Sequence, residues 1–382
     1  MNMLSNPAGA MWKLPDEEKV RVRARFRGCL LGGAVGDALG APIEFMSVSE
    51  IREAFGRQGT RDFIPAYGRL GAITDDTQMT LFTAEGLIRG WRRGATHGIT
   101  TYQGVTAHAY LRWLKTQGGT SGCELIPDSE GWLYGHQELH HARAPGATCI
   151  KALRDMKRLG DPAVNNSKGC GGVMRVAPVG LFAWHISHAE DSASRAFELA
   201  NDLSAITHGH PTGQLAAGAF AVLVNGLVSG TTLDEALDVA IHCLKSRPNH
   251  EETLQALEQA RSLADSRLPV AEAIAELGGG WIAEEALAIA VYCSLMAKTF
   301  EEGVVYAVNH SGDSDSTGSM AGNLLGALYG MDAIPERWLR PLELREVISE
   351  VADDLLDLTE WDIDEEGGGE GAESLLRKYP PV

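Results

Sequence analysis

Glycine recurs every fourth residue in two places, at Gly28, Gly32, Gly36 and Gly40 and again at Gly318, Gly322 and Gly326. Positions four apart stack on one face of a helix, so each series draws a ridge without side chains. Such a ridge is unfavourable on its own, by up to ~1 kcal/mol per residue relative to alanine. Close approach of two helix backbones offsets that penalty. The spacing therefore predicts that the two ridges pack against each other or against a shared third helix. The 44 glycines show no G-X-Y period, which excludes a collagen-like chain.

The rest of the pattern is also helical. Thr232 and Glu235 form a capping box ahead of Ala236, Leu237, Ala240 and Ile241. Leu254, Leu257 and Ala264 continue a second stripe, and Glu284 to Met296 is apolar almost all round, as a central buried helix would be. Alternating strands are scarce, and the chain reads as all-α. Three regions are expected: an N-terminal polar extension, residues 1–24, within which Pro15-Asp16-Glu17-Glu18 reads as a helix start; a helical domain, residues 25–345; and an acidic C-terminal segment, residues 346–382, read as a solvated loop.

Charge and cysteine usage narrow the function classes. Lys+Arg 33 against Asp+Glu 51 leaves a net charge of −18, which disfavours nucleic-acid binding through phosphate neutralisation. The six cysteines are scattered, without a C-x-x-C, and read as reduced thiols rather than a disulfide framework or a thiolate zinc site. Arg21, Arg23, Arg25 and Arg27 precede an apolar run in the manner of a signal peptide, but the run is displaced from the chain start and interrupted by Asp37. No stretch reaches the roughly 20 apolar residues of a membrane span. The expectation is a soluble, cytoplasmic protein with no membrane partner, monomeric by default.

Two clusters carry chemistry. Thr74-Asp75-Asp76-Thr77 and Asp313-Ser314-Asp315-Ser316-Thr317 each stand at a predicted helix start. One such residue would be an N-cap, but each further carboxylate adds like-charge repulsion. A divalent cation relieves it, and an all-oxygen donor set suits Mg²⁺, Mn²⁺ or Ca²⁺ rather than zinc or copper. Asp37 is either a satisfied buried group or a site residue, and Glu44, beyond Pro42, either faces solvent or projects towards a pocket. Gly169-Cys170-Gly171-Gly172-Val173-Met174-Arg175 is no Walker loop, but successive glycines leave amides free to face an anion, with Arg175 adjacent. The His136–His140 pair lacks the glutamate of a metalloprotease helix, and no G-x-S-x-G elbow is present.

Five segments in order resemble the ADP-ribosylglycohydrolase family, which includes the dinitrogenase reductase-activating glycohydrolases and the ADP-ribosylarginine hydrolases. They are Phe26–Phe45, Gly71–Leu81, Ser167–Leu181, Ala205–Gly213 and Asn309–Gly330. The resemblance implies a compact orthogonal multi-helix bundle with two Mg²⁺ ions, or Mn²⁺, in a central cleft. It implies metal ligation by Thr74, Asp75, Asp76, Asp313, Asp315 and Ser316, with Asp76 and Asp315 essential to catalysis together with Glu44, the acidic residue closing the GDALGA-x-x-E segment. Gly169, Gly171, Gly172, Val173 and Met174 match the loop that receives the ADP-ribose diphosphate, and His208 matches a substrate-side histidine. Two positions depart from many relatives: Ser316 stands for Thr and Cys170 for Asn.

The implied activity is metal-dependent removal of ADP-ribose from a modified protein side chain, with arginine the first choice of acceptor. The alternative is an immunity protein that blocks an ADP-ribosylating toxin through residues 1–24, since such proteins resemble this family. A general metal-dependent phosphohydrolase fits the five-segment pattern less well.

Overall fold

The computed structural model describes residues 14–123, 130–185, 189–361 and 372–380. Among them are 18 α-helices and no strand, in keeping with the all-α reading. Two isolated bridges, Ala66 with Arg69 and Gly169 with Ile282, are the closest approach to β-structure.

The two glycine ridges meet face to face. The first glycine helix, Asp16–Gly40, lies antiparallel to the second, Ser314–Tyr329. A Cβ added at Gly28 would strike the carbonyl of Gly326, one at Gly32 that of Gly322, one at Gly36 that of Gly318, and one at Gly40 that of Ser314. Backbone rests on backbone along the whole seam, the close approach that makes glycine worth its conformational cost. The pairing has a geometric consequence. It sets the C-terminus of the first helix, and the turn carrying Glu44, beside the N-terminus of the second, where Asp313, Asp315 and Ser316 stand.

The first glycine helix starts where sequence placed it, with Pro15 before it and Asp16, Glu17 and Glu18 in its first turn. It runs unbroken through residue 24, so the boundary between extension and domain does not fall there. The extension read as reaching a toxin spans residues 1–24, of which residues 1–13 lie outside the described residues. The acidic segment also differs from a solvated loop up to Trp361. Arg345–Asp357 is a helix with Val347, Ile348, Val351 and Leu355 buried. Its Asp353 and Asp357 hold Arg23 of the first helix at 2.9 and 2.7 Å, and Asp353 holds Arg27 at 2.6 Å. Arginines one turn apart thus meet acids one turn apart across two packed helices. Within that segment Asp362 to Gly371 lie outside the described residues, and Ala372–Lys378 is again a helix.

The predicted central helix is Ala283–Met296, with Ala286 to Ser294 buried. Helix Pro211–Val228 is long and apolar enough by composition to cross a membrane, yet 83% of it is buried inside the fold, as a core helix is. The Thr232/Glu235 capping box forms with both reciprocal hydrogen bonds. All six cysteines are free.

Candidate metal centre and active site

Two helix N-termini converge on one point. Thr74 caps helix Asp75–His97, its hydroxyl accepting from the Asp76 amide at 3.3 Å. Asp313 caps the second glycine helix, accepting from the Ser316 amide at 3.4 Å. Across the gap the Ser316 hydroxyl donates to Asp76 Oδ2 at 3.4 Å. Glu44 joins from the turn after the first helix. One carboxylate oxygen from each of Glu44, Asp313 and Asp315 lies within 4.8 Å of the others, and all three side chains are buried. The residues singled out from sequence as ligands are therefore brought together, and Glu44 faces the cluster rather than solvent.

The approach to helix Asp75–His97 is held from several sides. The carboxylate of Asp37 accepts the amides of Thr74 (3.0 Å) and Thr77 (3.1 Å), together with a short hydrogen bond from the Thr77 hydroxyl. Asp37 is thus a buried, satisfied group that fixes the start of this helix. Glu343 accepts the Ile73 amide at 3.1 Å and pairs with Arg69 and Arg143. Asp75 Oδ2 accepts from the Gly146 amide at 3.0 Å. On the other side, Glu285 accepts the amides of Gly279 and Gly280, and the Gly279 carbonyl in turn takes the Asp313 amide at 2.8 Å.

Burial and mutual repulsion dominate the electrostatics. Burial, then the charge of Asp315, pushes Glu44 up to about 9 and Asp37 up to about 7. Burial likewise holds Asp75, Asp76 and Asp313 well above the usual carboxylate range and raises Asp315. Two oxygens in the cluster, Asp76 Oδ1 and Glu44 Oε2, are buried with no hydrogen-bond partner. Orphaned carboxylate oxygens among crowded like charges are what a hard divalent cation would satisfy. The donors on hand, carboxylates and hydroxyls, fit a hard cation such as Mg²⁺, Mn²⁺ or Ca²⁺.

The glycine loop abuts this centre. Cys170–Gly172 forms a single 3₁₀ turn, and the Cys170 thiol donates to Asp313 Oδ2 at 2.7 Å. A Cβ at Gly171 would meet Cys149 Sγ at 2.9 Å, and one at Gly172 would meet His208 Nδ1 at 3.1 Å, so the loop lies flat on the residues beneath it. His208 is 1% exposed, with Nδ1 on the Thr207 hydroxyl at 2.8 Å; burial, with Arg175 nearby, lowers it to about 3 and keeps it neutral. Its first role in this geometry is to support the loop.

Two loop expectations change. Val173 and Met174, matched to the loop that receives the diphosphate, have amides that donate to the Cys170 carbonyl at 2.9 and 3.1 Å, because the chain has already begun to coil there. Their side chains are buried, and Met174 Sδ lies 3.7 Å from the Ser316 hydroxyl. Arg175 is fully buried and spent on the Leu203 carbonyl, the Thr207 hydroxyl and the face of Tyr110, so it does not face an anion.

Sequence reasoning did not find Glu343, Arg143 or Tyr67. Tyr67 has a positive φ of 50°, sits over the Arg143 guanidinium at 4.8 Å, and is raised to about 12 by burial and by Glu44, Asp315, Asp37 and Asp75.

This constellation stands on an all-helical scaffold that known proteins share. The ADP-ribosylglycohydrolase family model matches residues 18–364, and the chain belongs to that family. It is 28% identical over 332 residues to the ADP-ribosyl-[dinitrogen reductase] glycohydrolase of Rhodospirillum rubrum, covering 85% of this chain and 92% of that protein. It is 25% identical to the ADP-ribosylarginine hydrolase Tri1 of Pseudomonas putida, covering 87% and 78%. Among solved structures, an ADP-ribosylglycohydrolase-related protein complex superposes with a TM-score of 0.65 at 29% identity, covering 89% of this chain and 99% of that one.

Proposed function

We propose that this glycohydrolase removes ADP-ribose from modified arginine side chains of proteins, in a reaction dependent on two Mg²⁺ ions, with Mn²⁺ as the substitute. The observation that carries the reading is the convergence of Glu44, Asp313 and Asp315 within 4.8 Å, with orphaned oxygens on Glu44 and Asp76, beside a glycine loop. The arginine acceptor is supported by the likeness to the Pseudomonas putida hydrolase.

Thr74, Asp75, Asp76, Asp313, Asp315 and Ser316 would hold the cations. When bound, these supply Lewis-acid polarisation and lower the pKa of a coordinated water. The carboxylates around the reacting carbon stabilise the positive charge that develops at ribose C1″ as the glycosidic bond lengthens. Glu44, on a turn rather than within a helix, positions the attacking water and the departing guanidino group. Gly169, Gly171 and Gly172 give the diphosphate an approach free of side chains, and its binding orients the ribose at the far end.

The test is release of ADP-ribose from an arginine-ADP-ribosylated protein, with Mg²⁺ and with EDTA, alongside a serine-linked substrate. Mg²⁺-dependent release from the arginine substrate is expected. Release from the serine substrate alone would overturn the acceptor, and release unaffected by EDTA would overturn the metal requirement.

A further inference from the structure

On the outer side of the elements that carry Glu44 and Asp313, a cavity of about 790 Å³ opens between helices Val48–Phe55, Val270–Leu277 and Phe300–Val308. Its floor is apolar. Ile51 and Ile274 line it at 1% and 2% exposure, and Val305 adds a half-buried side chain. Four cations border it, Arg52, Arg57, Arg61 and Lys298, although the chain as a whole carries a net charge of −18.

The pairing of these charges is lopsided. The two acids in the lining are already engaged within the protein. Glu301 takes Arg61 at 2.9 Å and Arg337 at 2.8 Å, while Glu302 takes the Lys298 amide and the Tyr306 hydroxyl at 2.8 Å each. Among the described residues, Arg52 and Arg57 make no salt bridge, while Lys298 lies close enough to Glu302 to help hold its carboxyl down. An apolar floor beneath Arg52 and Arg57, with the Lys298 ammonium at the rim, in a volume within the range of about 300–1,000 Å³ typical of small-molecule sites, is complementary to one kind of ligand.

We propose that this cavity is a second binding site, for an amphipathic organic anion. The apolar body of the ligand would cover Ile51, Ile274 and Val305, and its anionic head would lie among Arg52, Arg57 and Lys298. The site is separate from the acidic centre, since none of the metal-ligand candidates lines it. Its lining is tied to the loop that precedes Asp313, since the Val48 amide donates to the Ser311 hydroxyl at 2.8 Å and Asn309 accepts the Thr60 amide at 2.8 Å.

The experiment titrates the full chain with 1-anilinonaphthalene-8-sulfonate, followed by fluorescence, and with uncharged N-phenyl-1-naphthylamine as the matched control. Octyl phosphate and octanoate are then used as displacing ligands to separate phosphate from carboxylate heads. A saturable one-to-one site is expected for the sulfonate, weakened about tenfold or more in R52E/K298E by loss of charge complementarity. Binding of the neutral control should survive R52E/K298E and be lost in Ile274→Trp, which fills the cavity. Both substituted residues of the charge variant are on the surface, so its folding and its Mg²⁺-dependent hydrolysis should match the parent. Sulfonate binding unchanged in R52E/K298E would overturn the proposal, whatever the fate of the Ile274 variant.

Discussion

The carboxylate of Asp37 accepts the backbone amide of Thr74 through both oxygens, at 3.0 Å each. One residue of the first glycine helix thereby aims the N-terminus of a second helix at the N-terminus of a third. Asp37→Ala would strand the Thr74 and Thr77 amides and the Thr77 hydroxyl. Each unsatisfied buried group costs roughly 1–3 kcal/mol, so thermal unfolding should show a loss of about 3 kcal/mol or more. Calorimetry should also show Mg²⁺ affinity reduced at least tenfold. A variant with full Mg²⁺ affinity would mean that the helix start is fixed without Asp37.

Asp315→Ala and Asp76→Ala should separate stability from activity. Each removes a buried carboxylate that repels its neighbours, so without metal the variants should melt no lower than the parent. Hydrolysis should fall by about 100-fold or more, the scale of losing a key electrostatic group. The upward shift of Tm on adding Mg²⁺ should shrink in both. Near-parental turnover in either variant would remove it from the metal-ligand set.

Glu44 makes a different prediction because it lies on a turn. Glu44→Gln should lower kcat by about 100-fold, a typical loss for a proton-handling or water-positioning side chain, while Mg²⁺ affinity changes little. A parallel collapse of metal affinity would recast Glu44 as a ligand.

The pH dependence has a definite sign. Glu44 and Asp37 are pushed up to about 9 and about 7, so the metal-free folded state holds protons that the unfolded chain has released. Stability falls wherever the folded state binds more protons. Metal-free stability should therefore decline as pH rises from about 4 to about 9, and Mg²⁺ should flatten that decline by favouring the ionised carboxylates. Tm measured across this range with Mg²⁺ and with EDTA should diverge as pH rises; parallel curves would count against a cation at the cluster.

Gly322→Leu tests the seam. A Cβ there already collides with the Gly32 carbonyl, and overpacking of this kind costs typically 1–3 kcal/mol and occasionally more. Chemical denaturation should show a loss of about 3 kcal/mol or more. Unchanged stability would mean that the two helices do not touch at this point.

Period-four glycines, caps and carboxylate pairs are local signals, and they were enough to place the helix contact and the acidic clusters. What stayed hidden depends on residues far apart in the chain. Glu343 reaches Ile73 across 270 positions, and nothing near either residue announces the contact. Arg175 at the end of the glycine loop looked available for an anion until tertiary packing committed it to Thr207 and Tyr110. Acidic crowding near Asp353 resembled a solvated tail because its partners, Arg23 and Arg27, stand at the other end of the chain.

The glycine seam also behaves as a vernier. Carbonyls of one helix sit in notches of the other, spaced four residues apart, so the pair can re-engage only in steps of about 6 Å at a 1.5 Å rise per residue. A smaller slide would press backbone against backbone. The turn bearing Glu44 leaves one member of the pair at Gly40 and Asp315 stands on the other, so the root of that turn is indexed by the seam rather than continuously adjustable. Movement of Glu44 relative to the metal ligands must then arise in its own short turn, residues 41 to 45, and not in the scaffold beneath it.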